Sequence, residues 1–491
     1  MRRTSLLRPG PWSSRLALAL ALVALWACEA CAAIPREIAR AFMDQGVPLT
    51  NVAIVVQAVD QRRPLLAHRP SAAMSPASVM KLVTTYAALD LLGPSYRWRT
   101  EAYVDGTLDQ GTLHGNLVLK GRGDPKITIE QWQAFMGALV ASGVRRIDGD
   151  LVLDRSAFDV PPHDPAAFDG APLRSYNVGP DALLVNFKSV RLLFAPDPTG
   201  TATGVTAEPP LASIHLDRPP ALDMLAACES WRARVKPVFI DAGSSADIFF
   251  AGAYPASCGE KAWYVALLDP TAYVHGMFAT YYAAAGGSFS GSVRDGIAPL
   301  DANPVAVLES PPLYDIVRDV NKLSNNVMAR QLFLTLALER AGAPASPRRA
   351  AQVVQRWLRE RKLAMPLLLM ENGSGLSRLE RVSAGGLARL LVAADKSAVR
   401  DEFASSLAVA ATDGTVENRF RDGTVAGQAL LKTGTLDGVR ALAGYVIDAQ
   451  GRRYAIAALI NHPNAARGQP ALDFLVQWVF SNGETWSRTV D

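Results

Sequence analysis

The hydrophobic pattern changes character three times along the chain. NVAIVVQAVD, residues 51–60, is a short β-branched run ended by charge and predicts a buried strand. LLAHR follows a Pro-containing turn and predicts its hairpin partner. SPASVMKLVTTYAALDLLG, residues 75–93, predicts a buried helix. Ser75 is placed to cap it, Pro76 suits its first turn, and Gly93-Pro94 ends it. The middle of the chain alternates in short steps. RTEAYVDG, TLHGNLVLKG, RIDGDLVLD, DALLVNF, VRLLFAP, VKPVFID and ADIFFAG predict strands. ITIEQWQAFMGALVASGV and YVHGMFATYYAAAG predict helices among them. From about residue 300 the period becomes helical. LYDIVRDVNKL and NVMARQLFLTLALERAG flank a polar break at Ser324. Residues 348–363 form an amphipathic helix with Ala350, Val353, Val354, Trp357 and Leu358 on one face. Its basic side chains are a solvated face or a contact for an anionic envelope surface. ALLKTGT, VRALAGYVID and RYAIAALIN predict three closing strands, with a DAQGRR hairpin turn. Strands at both ends with helices between them imply one domain split in sequence, its middle an insertion.

Composition adds limits. The chain has 491 residues, 49% hydrophobic and 20% charged, which excludes a mainly disordered chain. Fifty basic against 46 acidic side chains leave +4, too little for this length to point to nucleic acid. The histidines are scattered, and no pair has the i, i+4 spacing of a zinc helix, so no metal or cofactor is implied. Residues 1–33 read as a secretory signal: Arg2, Arg3, Arg8 and Arg15, then an uncharged run from Leu16 to Ala27, then small residues. The run is short for a membrane span. An uncleaved anchor and a lipid anchor at Cys28 remain open, and the expected location is the periplasm. Beyond the signal lie Cys228 and Cys258, 30 residues apart. In an exported chain such a pair is either a disulfide, contributing about 3–4 kcal/mol in the chain-entropy model, or two buried thiols.

Three short motifs carry the chemistry. Ser78-Val79-Met80-Lys81 is S-x-x-K at a helix start. Residues three apart share a helix face, so the Lys81 amine is in reach of the Ser78 hydroxyl. A serine hydroxyl is a weak nucleophile until a base lies beside it. Ser324-Asn325-Asn326 is S-x-N between two helices, and Lys432-Thr433-Gly434-Thr435 begins with K-T-G on a late strand. This order is the penicillin-recognising serine signature. It assigns Ser78 as nucleophile, Lys81 as base and Ser324 as a proton relay. Asn326 would hold Lys81 and a substrate amide, and Lys432 and Thr433 would hold a terminal carboxylate. Gly434 would let substrate lie close to the strand. The Ser78 and Thr435 amides would form the oxyanion hole. Lys432 would also depress the Lys81 pKa as a neighbouring cation.

With these motifs the sequence resembles the D-alanyl-D-alanine carboxypeptidase/endopeptidases of the low-molecular-mass class C penicillin-binding proteins, the penicillin-binding protein 4 type. ENGSGLSR (371–378), GRGDP (121–125), DGTVENR (413–419) and TLDGVRALAG after K-T-G extend the likeness over nearly all the chain beyond the signal. The resemblance implies a mixed α/β (α+β) penicillin-recognising transpeptidase-like domain, an antiparallel sheet with helices on both faces and a large β-rich insertion. The expected divisions are 34–96 with 288–491 for catalysis, 97–156 with 238–287 for a second domain, and 157–237 for a third nested within it. It implies cleavage of D-Ala-D-Ala in peptidoglycan stem peptides and of D-alanyl cross-links, and acylation by β-lactams. It also places a cysteine pair at Cys228 and Cys258. Relatives set an insertion aspartate against a substrate amine; the alignment puts Ala171 there, with Asp169 two residues earlier. A secreted serine β-lactamase shares S-x-x-K and K-T-G, but the large insertion argues against it. A non-catalytic wall-binding scaffold is the third reading.

Overall fold

The structure, a computed structural model, describes residues 34–421 and 423–490. The signal expectation and Cys28 lie outside them. Six antiparallel strands build the main sheet, in the order Ala408–Val409, Ala429–Leu436, Val439–Ile447, Arg453–Asn461, Val52–Ala58, Leu66–His68. The two ends of the chain meet in it: Val55 pairs with Ala457, and Lys432 with Ala443.

Strand periodicity sorts the side chains into two cores. Val52, Ile54 and Val56 face one core, and Ala53 and Val55 the other. Both faces are covered, so Val52–Ala58 reads as a nearly continuous apolar run. Arg36–Asp44 and Gln469–Val490 cover one face. Lys81–Leu92, Leu313–Lys322, Asn326–Ala341, Pro347–Glu360 and Ala384–Asp395 build the other layer. Ala53, Ala441, Ala443, Ala455 and Ala457 are among the sheet's side chains on that face, small enough for helices to approach closely.

The insertion leaves after Trp98 and holds a seven-stranded sheet centred on the hairpin Arg99–Asp109 and Thr112–Lys120. Helices Ile129–Ala141 and Pro270–Ala284 pack on it. The first starts in a capping box between Thr128 and Gln131, and Asp269 caps the second. Two three-stranded sheets and one two-stranded sheet complete it, and Cys228 and Cys258 are bonded in this region, S–S 2.12 Å. Pairing runs across the expected divisions. Ala246–Phe250 pairs with Ile214–Arg218, and Lys261–Val265 with Val190–Pro196, so a boundary at 237 cuts through two sheets. Ala306–Glu309 pairs with Arg99–Asp109, so the chain is still in the insertion's sheet past residue 288. Long-range pairings of short strands leave no periodic trace in the sequence. DALLVNF is not a strand either. It runs as a loop into Asn186, Phe187 and Lys188, all with positive φ. Asn186 bonds Ser189 O and Tyr273 Oη, and Lys188 Nζ donates to Leu267 O and Leu268 O, which holds this backbone.

The insertion is tied to the catalytic helices by polar contacts. Gln331 bonds both backbone groups of Asp181, and buried Arg330 donates to Val178 O at 2.6 Å. Arg122 pairs with Glu339, and Lys126 with Asp319. Among the described residues no helix is long and apolar enough to cross a membrane.

Candidate active site

Ser78 lies in a 3-10 turn, Ala77–Met80, that leads into the helix Lys81–Leu92. Ser75 makes no side-chain cap; its backbone N–H and C=O both bond the Asn461 side chain. Buried Ala77 has φ +46°, which interrupts the helix expected to begin at Ser75. A left-handed non-glycine residue costs free energy and persists only where its surroundings hold it. Strand Ala429–Leu436 packs on this turn: a Cβ at Gly434 would stand 2.5 Å from Pro76 O and 3.1 Å from the Ala77 Cβ. Gly434 therefore makes room for the turn that presents Ser78.

Lys81 is fully buried, with three partners for its Nζ: Ser78 Oγ at 2.9 Å, Asn326 Oδ1 at 2.6 Å and the Ser374 carbonyl at 2.6 Å. Two of these can only accept. A neutral amine has two N–H groups and one lone pair. In that form the two carbonyl oxygens would take both N–H groups and leave the lone pair for the Ser78 hydroxyl. Burial drives the Lys81 pKa well below its ordinary value; Lys432 and Arg330 push the same way, and Glu380 opposes them.

Ser324 has φ +57°, a sharp turn between helices Leu313–Lys322 and Asn326–Ala341, and Asn325 caps the second. The turn sets Ser324 Oγ 2.8 Å from Lys432 Nζ. Lys432 is buried, which pushes its pKa down to about 7, and it also donates to Thr433 O. Thr433 Oγ1 donates to Thr415 Oγ1 at 2.8 Å.

Ser78, Ser324, Asn326, Thr433 and Thr435 line one cleft of about 720 Å³ with Asp169, Tyr176, Arg378 and Arg440. Asp169 accepts from Tyr176 Oη at 2.6 Å, Asn177 Nδ2 at 2.8 Å and the Ala171 amide. Burial raises its pKa, but these hydrogen bonds outweigh burial and leave it below the ordinary value. Arg378 stacks on Phe168, 4.8 Å from the ring centre. Cys228 and Cys258 stand apart from this cleft, in the insertion.

Reading motifs one at a time missed the 371–380 segment as machinery. Asn372 Oδ1 accepts from both Ser374 N and Ser374 Oγ, folding a turn that offers the Ser374 carbonyl to Lys81. Gly375 has φ +83° and lies against Ala77 and Ser78. The Gly-Ser-Gly spacing was the available signal for a tight turn; its target across the fold was not.

The family described as D-Ala-D-Ala carboxypeptidase 3 (S13) matches residues 35–480. A D-alanyl-D-alanine carboxypeptidase of Actinomadura sp. (strain R39) is 29% identical over 77% of this chain and 71% of its own length. D-alanyl-D-alanine carboxypeptidase DacB of Haemophilus influenzae is 25% identical over 84% of this chain and 85% of its own. The crystal structure of penicillin binding protein 4 from Haemophilus influenzae superposes with a TM-score of 0.74 at 22% identity, over 90% of this chain and all of that one, and so shares the fold. With that match running through nearly the whole chain, the protein belongs to the D-Ala-D-Ala carboxypeptidase 3 (S13) family of serine hydrolases.

Proposed function

We propose that the protein removes the terminal D-alanine from peptidoglycan stem peptides, and opens D-alanyl cross-links, through an acyl-enzyme on Ser78. The observation that carries this reading is the Lys81 amine held between two carbonyl acceptors with Ser78 Oγ at 2.9 Å. Ser78 Oγ attacks the penultimate D-alanyl carbonyl and its proton passes to Lys81. The Ser78 and Thr435 amides stabilise the oxyanion. The C–N bond breaks as Ser324, held by Lys432, gives its hydroxyl proton to the leaving amine and is reprotonated from the Lys81 ammonium, which leaves Lys81 neutral. Lys432 and Thr433 hold the leaving carboxylate. Water then attacks the ester with Lys81 again as base, releasing the shortened peptide. Gly434 shapes the turn under Ser78. Asp169 receives a side-chain amine of the stem, supported by its place in the Ser78 cleft. A cavity of about 460 Å³ adjoins the cleft at Ser324 and Asn326, which supports access for a branched, cross-linked peptide. Cross-link hydrolysis uses the same groups, because only the leaving amine differs.

β-Lactams mimic the acyl donor and are expected to trap Ser78. The site of action is the envelope, with export to the periplasm by the signal sequence; peripheral association through the basic helix fits the same setting. The test is intact mass after benzylpenicillin for wild type and Ser78→Ala, followed by D-alanine release. A stable adduct and D-alanine release from wild type alone support the reading. Penicillin consumed without an adduct would favour a β-lactamase, and neither adduct nor turnover would favour a scaffold. Retained D-alanine release in Ser78→Ala would sink the assignment.

A further inference from the structure

Glu380 is a buried carboxylate for which the mechanism above has no use. It is 0% exposed and lies outside the cleft lining, so it does not meet substrate. One oxygen does all its bonding: Oε1 accepts from the amides of Glu371, Asn372 and Gly373 at 2.9, 3.0 and 3.0 Å. This ties down the turn whose next residue, Ser374, gives its carbonyl to Lys81. Oε2 has no hydrogen-bond partner among the described residues. The loop therefore needs a single acceptor, which a neutral amide would supply. What a carboxylate adds is charge, and charge in a dry interior is costly unless something balances it.

The groups around it supply that balance. The basic groups Lys81, Lys432 and Arg330 are gathered in the same buried region. Glu380 and Glu371 are the anions acting on Arg330, and Glu380 is the anion acting on Lys81. We propose that Glu380 is a positioning residue for acylation: it holds the Glu371–Ser374 turn against Lys81 and supplies the buried negative charge that offsets Lys432 and Arg330 there. Burial raises the Glu380 pKa, while its three amide donors and Lys81 pull it back toward ionisation. The inference rests on Ser78 and Lys81 acting as nucleophile and base.

Its sign is testable. Acylation needs the neutral Lys81 amine, so the rate falls in acid as Lys81 protonates. Removing a nearby anion makes protonation harder. The acid limb of the profile must then move to lower pH, by about one unit for a buried neighbouring charge.

The experiment measures the second-order rate of acylation by benzylpenicillin against pH for wild type and Glu380→Gln. Glu380→Asn is the second neutral variant, read in the same way where the first fails to fold. A limb shifted to lower pH supports the proposal. A limb unmoved overturns it, whatever happens to the plateau, because a purely structural role lowers the plateau and the thermal midpoint without moving the limb. Failure of the underlying reading looks different: wild type would then show no adduct, or no acid limb at all, and the Glu380 inference would fall with it.

Discussion

Replacing Gly375 by alanine should damage acylation far more than folding. Gly375 has φ +83°, where alanine costs about 1–2 kcal/mol more than glycine. The larger effect is contact. The added Cβ would stand 1.9 Å from Ala77 O and 2.8 Å from Ser78 N, and nothing there is a flexible side-chain end. The Ala77–Ser78 peptide must move by about 1 Å, a misplacement that costs on the order of 100-fold in rate. Its amide is also a proposed oxyanion donor, whose loss costs about 100- to 1,000-fold. The expected result is acylation by benzylpenicillin slower by about 100-fold or more, with the protein still folded. Gly342→Ala is the control: φ is +80°, but no atom lies within 4 Å of the added Cβ, so only the backbone term remains. Acylation of Gly375→Ala within about threefold of wild type, at an equal thermal midpoint, would refute the coupling of this turn to Ser78.

Three further outcomes follow from the same geometry. Wild-type acylation should rise from acid toward alkaline pH as Lys81 loses its proton, since burial and the neighbouring cations lower its pKa; a stopped-flow profile flat from about pH 5 to pH 9 would contradict this. Asp169→Asn should lower kcat/KM by about 10- to 100-fold for stem peptides with a free side-chain amine, and by less when that amine is acetylated; equal losses on both would remove Asp169 from amine recognition. Asp124 is 1% exposed, and burial pushes its pKa up to about 6. A carboxyl with a raised folded-state pKa loses stability as pH rises from its unfolded value toward 6, and the loss stays constant above that. Asp124→Asn should therefore stabilise by about 2–3 kcal/mol at pH 8 and little at pH 4, read from denaturant midpoints, whereas an equal effect at both pH values would disprove the linkage.

Local pattern and motif order determined much of this protein. The β-branched run at Val52–Ala58 and the late strands are apolar on both faces because each strand feeds two cores, and that shows in any window of the chain. S-x-x-K, S-x-N and K-T-G picked out side chains that the fold brings together, Ser78 against Lys81, Lys81 against Asn326, and Ser324 against Lys432. Tertiary structure decided what depends on distance through space. Positive φ at Ala77 and Ser324 sets the Ser78 and Ser324 hydroxyls, yet neither residue type announces that conformation. The Ser374 carbonyl, Gly375 and Glu380 reach the centre only because the Glu371–Glu380 segment folds back against the Ser78 turn. Strand pairings cross the expected divisions because they join segments far apart in the chain, where periodicity carries no signal. Backbone carbonyls have no residue identity, and buried charge acts through space, so the electrostatic setting of Lys81 belongs to the folded chain alone.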